Sequence, residues 1–249
     1  MIAPLDLYVV TGTTKGLGRA LAACIAADAA NFLVTISRAN EGGSGRHVAI
    51  AADLADAGAV EAACGKLARA IAGKAFEKAV LVNNAGIVSP VGPLDEVDAG
   101  ELGRNIAVNV TAPMLLMRGF LRATDSISLR RIVNVSSGAG RRPIFGWSAY
   151  CAAKAALDMA SQVVALEART RGRRVHVVSL APGVIDTPMQ GIVRSASAEA
   201  FVDVERFRRM KEEGVLRPPE DVARDILALE ASGRLDDKEA VQDLRELSA

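Results

Sequence analysis

The sequence predicts an α/β fold, a doubly wound parallel β-sheet flanked by helices on both faces. Three observations lead there. Short apolar runs alternate with longer stretches of helical periodicity along most of the 249 residues. The apolar runs are continuous rather than alternating, the pattern of strands buried on both faces. The joining segments are short, so successive strands are linked by right-handed βαβ crossovers. A chain of this length, half of it hydrophobic, can bury one core without dividing. Residues 1–249 are therefore expected to form a single domain.

The elements follow in order. Leu5–Val10 reads as a strand and Gly16–Ala29 as a helix. Phe32–Ser37 and His47–Ala51 are the next two strands, and Ala57–Ala72 is helical. Lys78–Asn83 is a fourth strand, followed by a long helical region at Asp98–Ala123 that could break at Pro113. Arg131–Ser136 is a fifth strand, Ser148–Arg171 a long helix and Val175–Ala181 a sixth strand. Helical patterns return at Ala198–Glu213 and Pro219–Ala231. The polar tail after Gly233 fits a short strand, a helix or irregular chain equally well.

Composition removes several function classes. Thirty basic and 29 acidic residues leave a net charge of +1, so neither a polyanion partner nor an acidic tail is indicated. The run ArgThrArgGlyArgArg at 169–174 reads as cations at a helix C-terminus ended by Gly172, not as a nucleic-acid patch. Cys24, Cys64 and Cys151 are odd in number and far apart, which suits neither a disulfide framework nor a metal site. His47 and His176 sit in apparent strands away from any carboxylate cluster, so no metal is expected. The first residues carry no basic leader, and no apolar run approaches the ~20 residues of a membrane helix. A soluble, cytoplasmic protein is expected.

The first strand runs into ThrGlyThrThrLysGlyLeuGly, residues 11–18, and a helix follows at once. Gly12 allows the tight turn, Gly16 clears space for a pyrophosphate, and Gly18 lets helix and strand approach closely. The helix N-terminus then offers free N–H groups and a positive dipole end. This points to a Rossmann-type dinucleotide site, although the spacing is G-x-x-x-G-x-G rather than G-x-G-x-x-G. At the end of the second strand, where NAD sites usually place an acid, stand Ser37 and Arg38. With Lys15 in the loop, two cations could meet a 2′-phosphate, favouring NADP(H) over NAD(H). The plainer alternative makes both cations solvated loop charges. Asp53 and Leu54 could border the adenine, or Asp53 could cap the next helix.

Further polar groups fall where ligands of such sheets bind, beyond the carboxyl ends of the strands. Asn83-Asn84-Ala85-Gly86 ends the fourth strand, and Ser136 and Ser137 end the fifth. Asn109 lies inside the long helix, where asparagine is a poor helix former. Tyr150 precedes Lys154 by four positions, one helical turn on the same face. Singly, each has an ordinary explanation in turn chemistry, strand-end bonding or a surface pair.

Together, in order and spacing, these motifs with Pro182-Gly183 and Thr187 resemble the short-chain dehydrogenase/reductase family over about residues 5–230. Segments 146–156, 164–168 and 181–190 look most like the sepiapterin reductases and the related bacterial diketone (benzil-type) reductases. The resemblance implies an NADPH-dependent reductase of a small-molecule carbonyl compound. Tyr150 would be the general acid, its phenol pKa lowered from about 10 by Lys154 and the oxidised nicotinamide. Lys154 would also hold the nicotinamide ribose. Ser137 would bond the substrate carbonyl oxygen, and Asn109 would hold a relay water.

The same resemblance makes Gly12, Thr14, Lys15, Gly16, Leu17, Gly18, Ala85, Pro182, Gly183 and Thr187 cofactor contacts, with Asn83 and Gly86 along the adenosine ribose. Trp147 and Gln190 would help build the substrate pocket, and residues 191–214 would form a lid. The alanines around Tyr150 would let that helix pack closely on the sheet. The family also implies a homodimer or homotetramer formed through the long helices. One departure favours the diketone reading. Sepiapterin reductases place an acid within a short aromatic strand near the C-terminus. Here the tail has Asp236, Asp237 and Asp243 but no aromatic residue. The runner-up is a non-catalytic NADP(H) sensor on the same fold.

Overall fold

A computed structural model of the chain describes residues 4–39, 43, 45–236 and 239–247. Seven parallel strands form one sheet: β1 (Leu5–Thr11), β2 (Asn31–Ser37), β3 (His47–Ala51), β4 (Phe76–Asn83), β5 (Leu129–Val135), β6 (Val175–Ala181) and β7 (Val241–Asp243). Their spatial order is β3-β2-β1-β4-β5-β6-β7, with every pairing parallel. The order reverses between β1 and β4, and such a reversal opens a crevice at the carboxyl ends of the strands.

The helices are α1 (Gly16–Ala26), α2 (Ala57–Ile71), α3 (Ala99–Ile106), α4 (Ala112–Ala123), α5 (Ser148–Thr170), α6 (Pro188–Arg194), α7 (Val204–Glu212), α8 (Pro219–Ala231) and α9 (Leu244–Leu247). One core lies under α2, α4 and α5, around Leu67, Leu81, Leu116, Phe120 and Ile132. The other lies under α1 and α8, around Val10, Leu21, Val80, Val178 and Ile226. Alternate residues of the same strands feed the two cores, so both faces of the sheet are covered. This is why the strand sequences read as unbroken apolar runs.

Local chemistry sets several boundaries. Asp56 begins α2, accepting from the Gly58 and Ala59 amides at 2.7 and 3.1 Å. At the end of α5, Gly172 takes φ +62°, and the Arg173 N–H reaches back to the Ala168 carbonyl. The basic run at 169–174 is thus a helix C-terminus closed by a left-handed glycine.

Other features depart from the sequence-based expectation. α1 stops at Ala26, three residues early. The helical region of 98–123 breaks before Pro113: residues Ala107–Thr111 form a π turn between α3 and α4. Pro113 is the physical cause, because it has no N–H to give the Asn109 carbonyl in α register. Residues 195–203 are irregular, so the second helix of the expected lid begins only at Val204. The tail settles as β7 on the edge of β6, running into α9. Asp237 lies outside the described residues.

At the amino end of the sheet, opposite the crevice, a buried ionic cluster fastens α8 to the strands. Glu230, 1 % exposed, accepts from the Tyr8 hydroxyl at 2.7 Å, Lys78 at 2.9 Å and Arg131 at 2.8 Å. Arg131 also pairs with both oxygens of Asp236. Asp236 is therefore a structural partner far from the crevice, not a substrate anchor.

Candidate active site

The site is built where β1, β4, β5 and β6 end. At β1, Gly12 turns the chain at φ +72°, and a Cβ there would sit 2.8 Å from the Ala85 Cα. A Cβ on Gly18 would overlap the Gly12 carbonyl oxygen and the Asn84 amide. Gly16, at φ +56°, faces the Thr187 side chain across the loop. The Lys15 side chain does not cap α1, so the first N–H groups of that helix point into the turn without a side-chain acceptor. Such a cradle, closed to side chains and lined with amides, fits a dinucleotide pyrophosphate. Gly18→Ala is expected to weaken dinucleotide binding at least tenfold, because backbone must move to admit the methyl. A titration of nucleotide fluorescence measures it, and an unchanged Kd would contradict the account.

The remaining nucleotide candidates divide. Lys15, Thr14 and Arg38 are exposed at the rim. Ser37 is buried, its hydroxyl donating to the Ala39 carbonyl at 2.7 Å. Asp53 accepts from the Ala55 amide at 3.0 Å and pairs with Arg104 at 3.2 Å, so it shapes a turn while Asp56 caps the helix. The Ala55 amide above all, with Arg104 and Arg38, holds its carboxyl below the usual range against the opposing effect of desolvation. Leu17 and Leu54 bury their side chains in the two cores, leaving only their backbones for a ligand.

Asn83, expected along the ribose, turns its side chain into the core instead. It donates to Asn134 Oδ1 at 2.9 Å, because the last residue of a central strand is covered on that face by α4. Its neighbour Asn84 does the local work, donating to the Thr11 carbonyl at 2.9 Å and tying β4 to β1. Gly86 lies beside the amine of Lys154. A Cβ there would be 2.9 Å from Asn109 Oδ1 and 3.7 Å from Lys154 Nζ. Pro182 is buried after β6, and Gly183 follows at φ +81°.

The four catalytic candidates converge. Ser137 follows β5 and Tyr150 lies in the first turn of α5, with the Ser137 hydroxyl near enough to favour the Tyr150 phenolate. Lys154, one turn on, donates to the Val135 carbonyl at 2.8 Å, and its Nζ is 5.6 Å from the Tyr150 ring centre. Ala149 and Ala153 face inward on this helix, and Gly140 packs against its backbone at Lys154, where a Cβ would meet the carbonyl carbon at 2.8 Å. Small residues on both sides bring helix and strand end together. The other alanines of the segment, Ala152, Ala155 and Ala156, face outward.

Asn109 spends its side chain on the loop after β4. Its Oδ1 accepts from the Ile87 amide at 3.0 Å, and its Nδ2 donates to the Ile87 carbonyl at 2.8 Å. Asn105, one turn earlier, bonds Ser89 and Asn109 at 2.7 and 2.8 Å and completes the staple. Sequence reasoning gave Asn84 no role beyond turn chemistry and passed over Asn105. The signal available for Asn105 was its spacing of four from Asn109.

The electrostatics differ from the expectation in one respect. Burial pushes the Tyr150 hydroxyl up to about 12, more than the Ser137 hydrogen bond lowers it. Burial also brings the Lys154 amine down to about 8, partly offset by Asp158. In the protein alone, desolvation of the phenolate outweighs any pull from the neighbouring ammonium.

Trp147 stacks on Phe201 with ring centres 4.8 Å apart and meets Tyr150 edge-on at 5.4 Å. Phe207 of α7 lies 5.7 Å away. The expected core role and pocket role of Trp147 therefore coincide: it belongs to an apolar cluster that includes Tyr150 itself. Gln190 is buried at the same end, and its Oε1 accepts no hydrogen bond. Asp243 is beside the end of β6, but Arg245 occupies both its oxygens at 2.8 and 2.6 Å, so it is not a free anchor.

Residues 7–198 match the family model described as short chain dehydrogenase. The chain belongs to the short-chain dehydrogenase/reductase family. It is 36 % identical over 231 residues to the benzil reductase ((S)-benzoin forming) of Bacillus subtilis (strain 168), covering 92 % of this chain and 95 % of that one. It is 34 % identical over 230 residues to the sepiapterin reductase of Meriones unguiculatus, covering 84 % of each. Among solved structures, the KRED1-Pglu enzyme superposes with a TM-score of 0.83 at 29 % identity, covering 95 % of this chain and 99 % of that one. The short-chain dehydrogenase/reductase fold is thus shared throughout, and members bind a nicotinamide dinucleotide. Among the described residues, no helix is long and apolar enough to cross a membrane, and no cluster of His, Cys, Asp and Glu could hold a metal.

Proposed function

We propose that the chain is an NADPH-dependent carbonyl reductase acting on an apolar, aromatic ketone or diketone. The observation that carries it is the Tyr150 hydroxyl set beside Ser137 and within an aromatic cluster, with the Lys154 amine one turn below. The likeness to benzil and sepiapterin reductases supports the same chemistry. A complete Ser–Tyr–Lys–Asn set counts against the cofactor sensor.

The glycine loop and the open end of α1 would hold the pyrophosphate, Lys154 the nicotinamide ribose, and Thr187 the carboxamide. The bound dinucleotide supplies the hydride. Ser137 donates to the substrate carbonyl oxygen and steadies its developing charge. Tyr150, kept protonated by burial, delivers a proton to that oxygen. Lys154 refills the phenol, and Asn109 holds the relay water through its main-chain carbonyl, which Pro113 leaves without its α-helical partner. Trp147, Phe201 and Phe207 exclude bulk water beside Tyr150 and give the substrate an apolar aromatic wall, with Gln190 as a polar contact.

Lys15 and Arg38, exposed with no acid on β2's last turn, favour the 2′-phosphate. Arg38→Glu is expected to weaken NADPH about tenfold, the loss of roughly one charge-assisted hydrogen bond of ~1.5 kcal/mol, with NADH little changed. Equal affinity of the unaltered protein for both nucleotides would defeat the charge argument. The free thiols of Cys24, Cys64 and Cys151 suit a reducing cytoplasm. Met159, Val163 and Leu166 form an exposed apolar stripe on α5, and Met114 of α4 is exposed as well, which suits pairing of two copies through these helices.

The direct test is NADPH absorbance on adding an aromatic 1,2-diketone or sepiapterin. Steady loss with the diketone is expected. Binding of NADPH without turnover across a broad carbonyl panel would overturn the proposal.

A further inference from the structure

Lys154 is buried, and the groups nearest to it carry no charge. Val135 gives a carbonyl at 2.8 Å, Asn109 of the π turn and Gly86 of the loop after β4 lie alongside, and Tyr150 is a neutral phenol. An ammonium there needs a counter-charge within the fold. Charged groups that face it follow one path. Asp158 stands one turn further along α5, on the same face. Beyond it Arg141 approaches, and beyond Arg141 lies Asp243 of β7 with its partner Arg245.

Asp158 is 5 % exposed and held from two strands. Its Oδ1 accepts from the hydroxyl of Ser136, at the end of β5, at 2.5 Å. The same oxygen accepts from the hydroxyl of Ser179, within β6, at 2.6 Å. Its Oδ2 has no hydrogen-bond donor and lies 3.6 Å from Arg141 Nε. Two hydroxyl donors and a nearby guanidinium thus surround the carboxylate. Arg141 in turn donates to the Gln242 carbonyl at 2.8 Å, so the edge strand is tied to the same line. Ser136 sits between Val135, whose carbonyl holds Lys154, and Ser137, whose hydroxyl neighbours Tyr150. One carboxylate thus fixes the strand end that carries both catalytic contacts.

We propose that Asp158 is the buried counter-charge of the Lys154 ammonium and a positioning residue of the reaction. Clamped between β5 and β6, it keeps the amine protonated and aimed at the ribose and phenol. It touches neither substrate nor cofactor. Burial alone works against the ammonium, and Asp158 works in its favour. This rests on the Tyr150–Lys154 reading above, and the controls keep the two apart.

The experiment is the pH profile of kcat for reduction of an aromatic 1,2-diketone with saturating NADPH. Asp158→Asn keeps shape and one acceptor but removes the charge. Across one helical turn in a buried site the opposite charge is expected to hold the amine up by about one pH unit, so the alkaline limb should move down by about that much. Turnover at pH 6 should stay within about threefold of the unaltered protein and fall about fivefold further at pH 8. Arg141→Gln removes a cation instead and should move the limb upward by a few tenths of a unit. A purely structural role predicts a uniform loss with no movement of the limb. Limbs that coincide in both variants overturn the proposal. Should Asp158→Asn fail to fold, Arg141→Gln decides alone, an upward shift supporting and an unmoved limb overturning. Tyr150→Phe separates the cases: if it turns over normally, the catalytic reading itself has failed.

Discussion

Tyr150→Phe should lower kcat by roughly 10²–10⁴-fold while NADPH still binds. The substitution removes one oxygen from a ring that keeps its place, because the ring packs edge-on against Trp147 and lies within the aromatic cluster. What is lost is the proton that neutralises the forming alkoxide. Ser137 remains as a donor, but its hydroxyl is far too weak an acid to replace the phenol. The sign of the pH effect follows from the two shifted groups. Tyr150 is held up to about 12 in the protein alone, so it stays protonated across the neutral range. Lys154 is held down to about 8, so the fall of reduction on the alkaline side should follow that amine, modified by bound cofactor. Stopped-flow hydride transfer and an NADPH titration check the two halves. A variant with near-normal hydride transfer would remove Tyr150 from the chemistry.

Glu230→Ala should cost about 3–5 kcal/mol of stability, the usual penalty for leaving buried charges without their partner. Lys78 and Arg131 would lose the oxygen they share, and Tyr8 its acceptor. The Tyr8 hydroxyl is already pushed well above its ordinary range by burial and by Glu230, so the phenol can only donate. For a chain of this size the fall in Tm is roughly 6–20 °C. The cluster lies at the amino end of the sheet, away from the glycine loop and Tyr150. Activity at low temperature should therefore be preserved. Differential scanning calorimetry gives the shift, and a loss below about 1 kcal/mol would mean that water already satisfies these groups.

How much of this was legible in the residues depends on distance along the chain. The glycine loop, the Tyr150–Lys154 turn and the continuous strands are local patterns, and each sat where its spacing implied. The short lid helices, β7 and the π turn were not legible to the same degree. β7 has three residues and is a strand only because β6 offers it an edge. Asn83 and Asn84 are adjacent and chemically identical, and which of them serves the loop depends on which face of β4 lies under α4.

The sequence by itself determined the layered architecture, the glycine loop after β1 and the Tyr150–Lys154 turn, because periodicity and turn chemistry act between near neighbours. Only the tertiary structure decided that Glu230 answers Tyr8 across 222 positions, that Trp147 meets Phe201, and that Asp158 hangs between two serines from different strands. The same decision set the protonation of Tyr150. A phenol's affinity for its proton depends on how much water and which charges surround it. Those are properties of the packed site, not of the spacing that brought its members together.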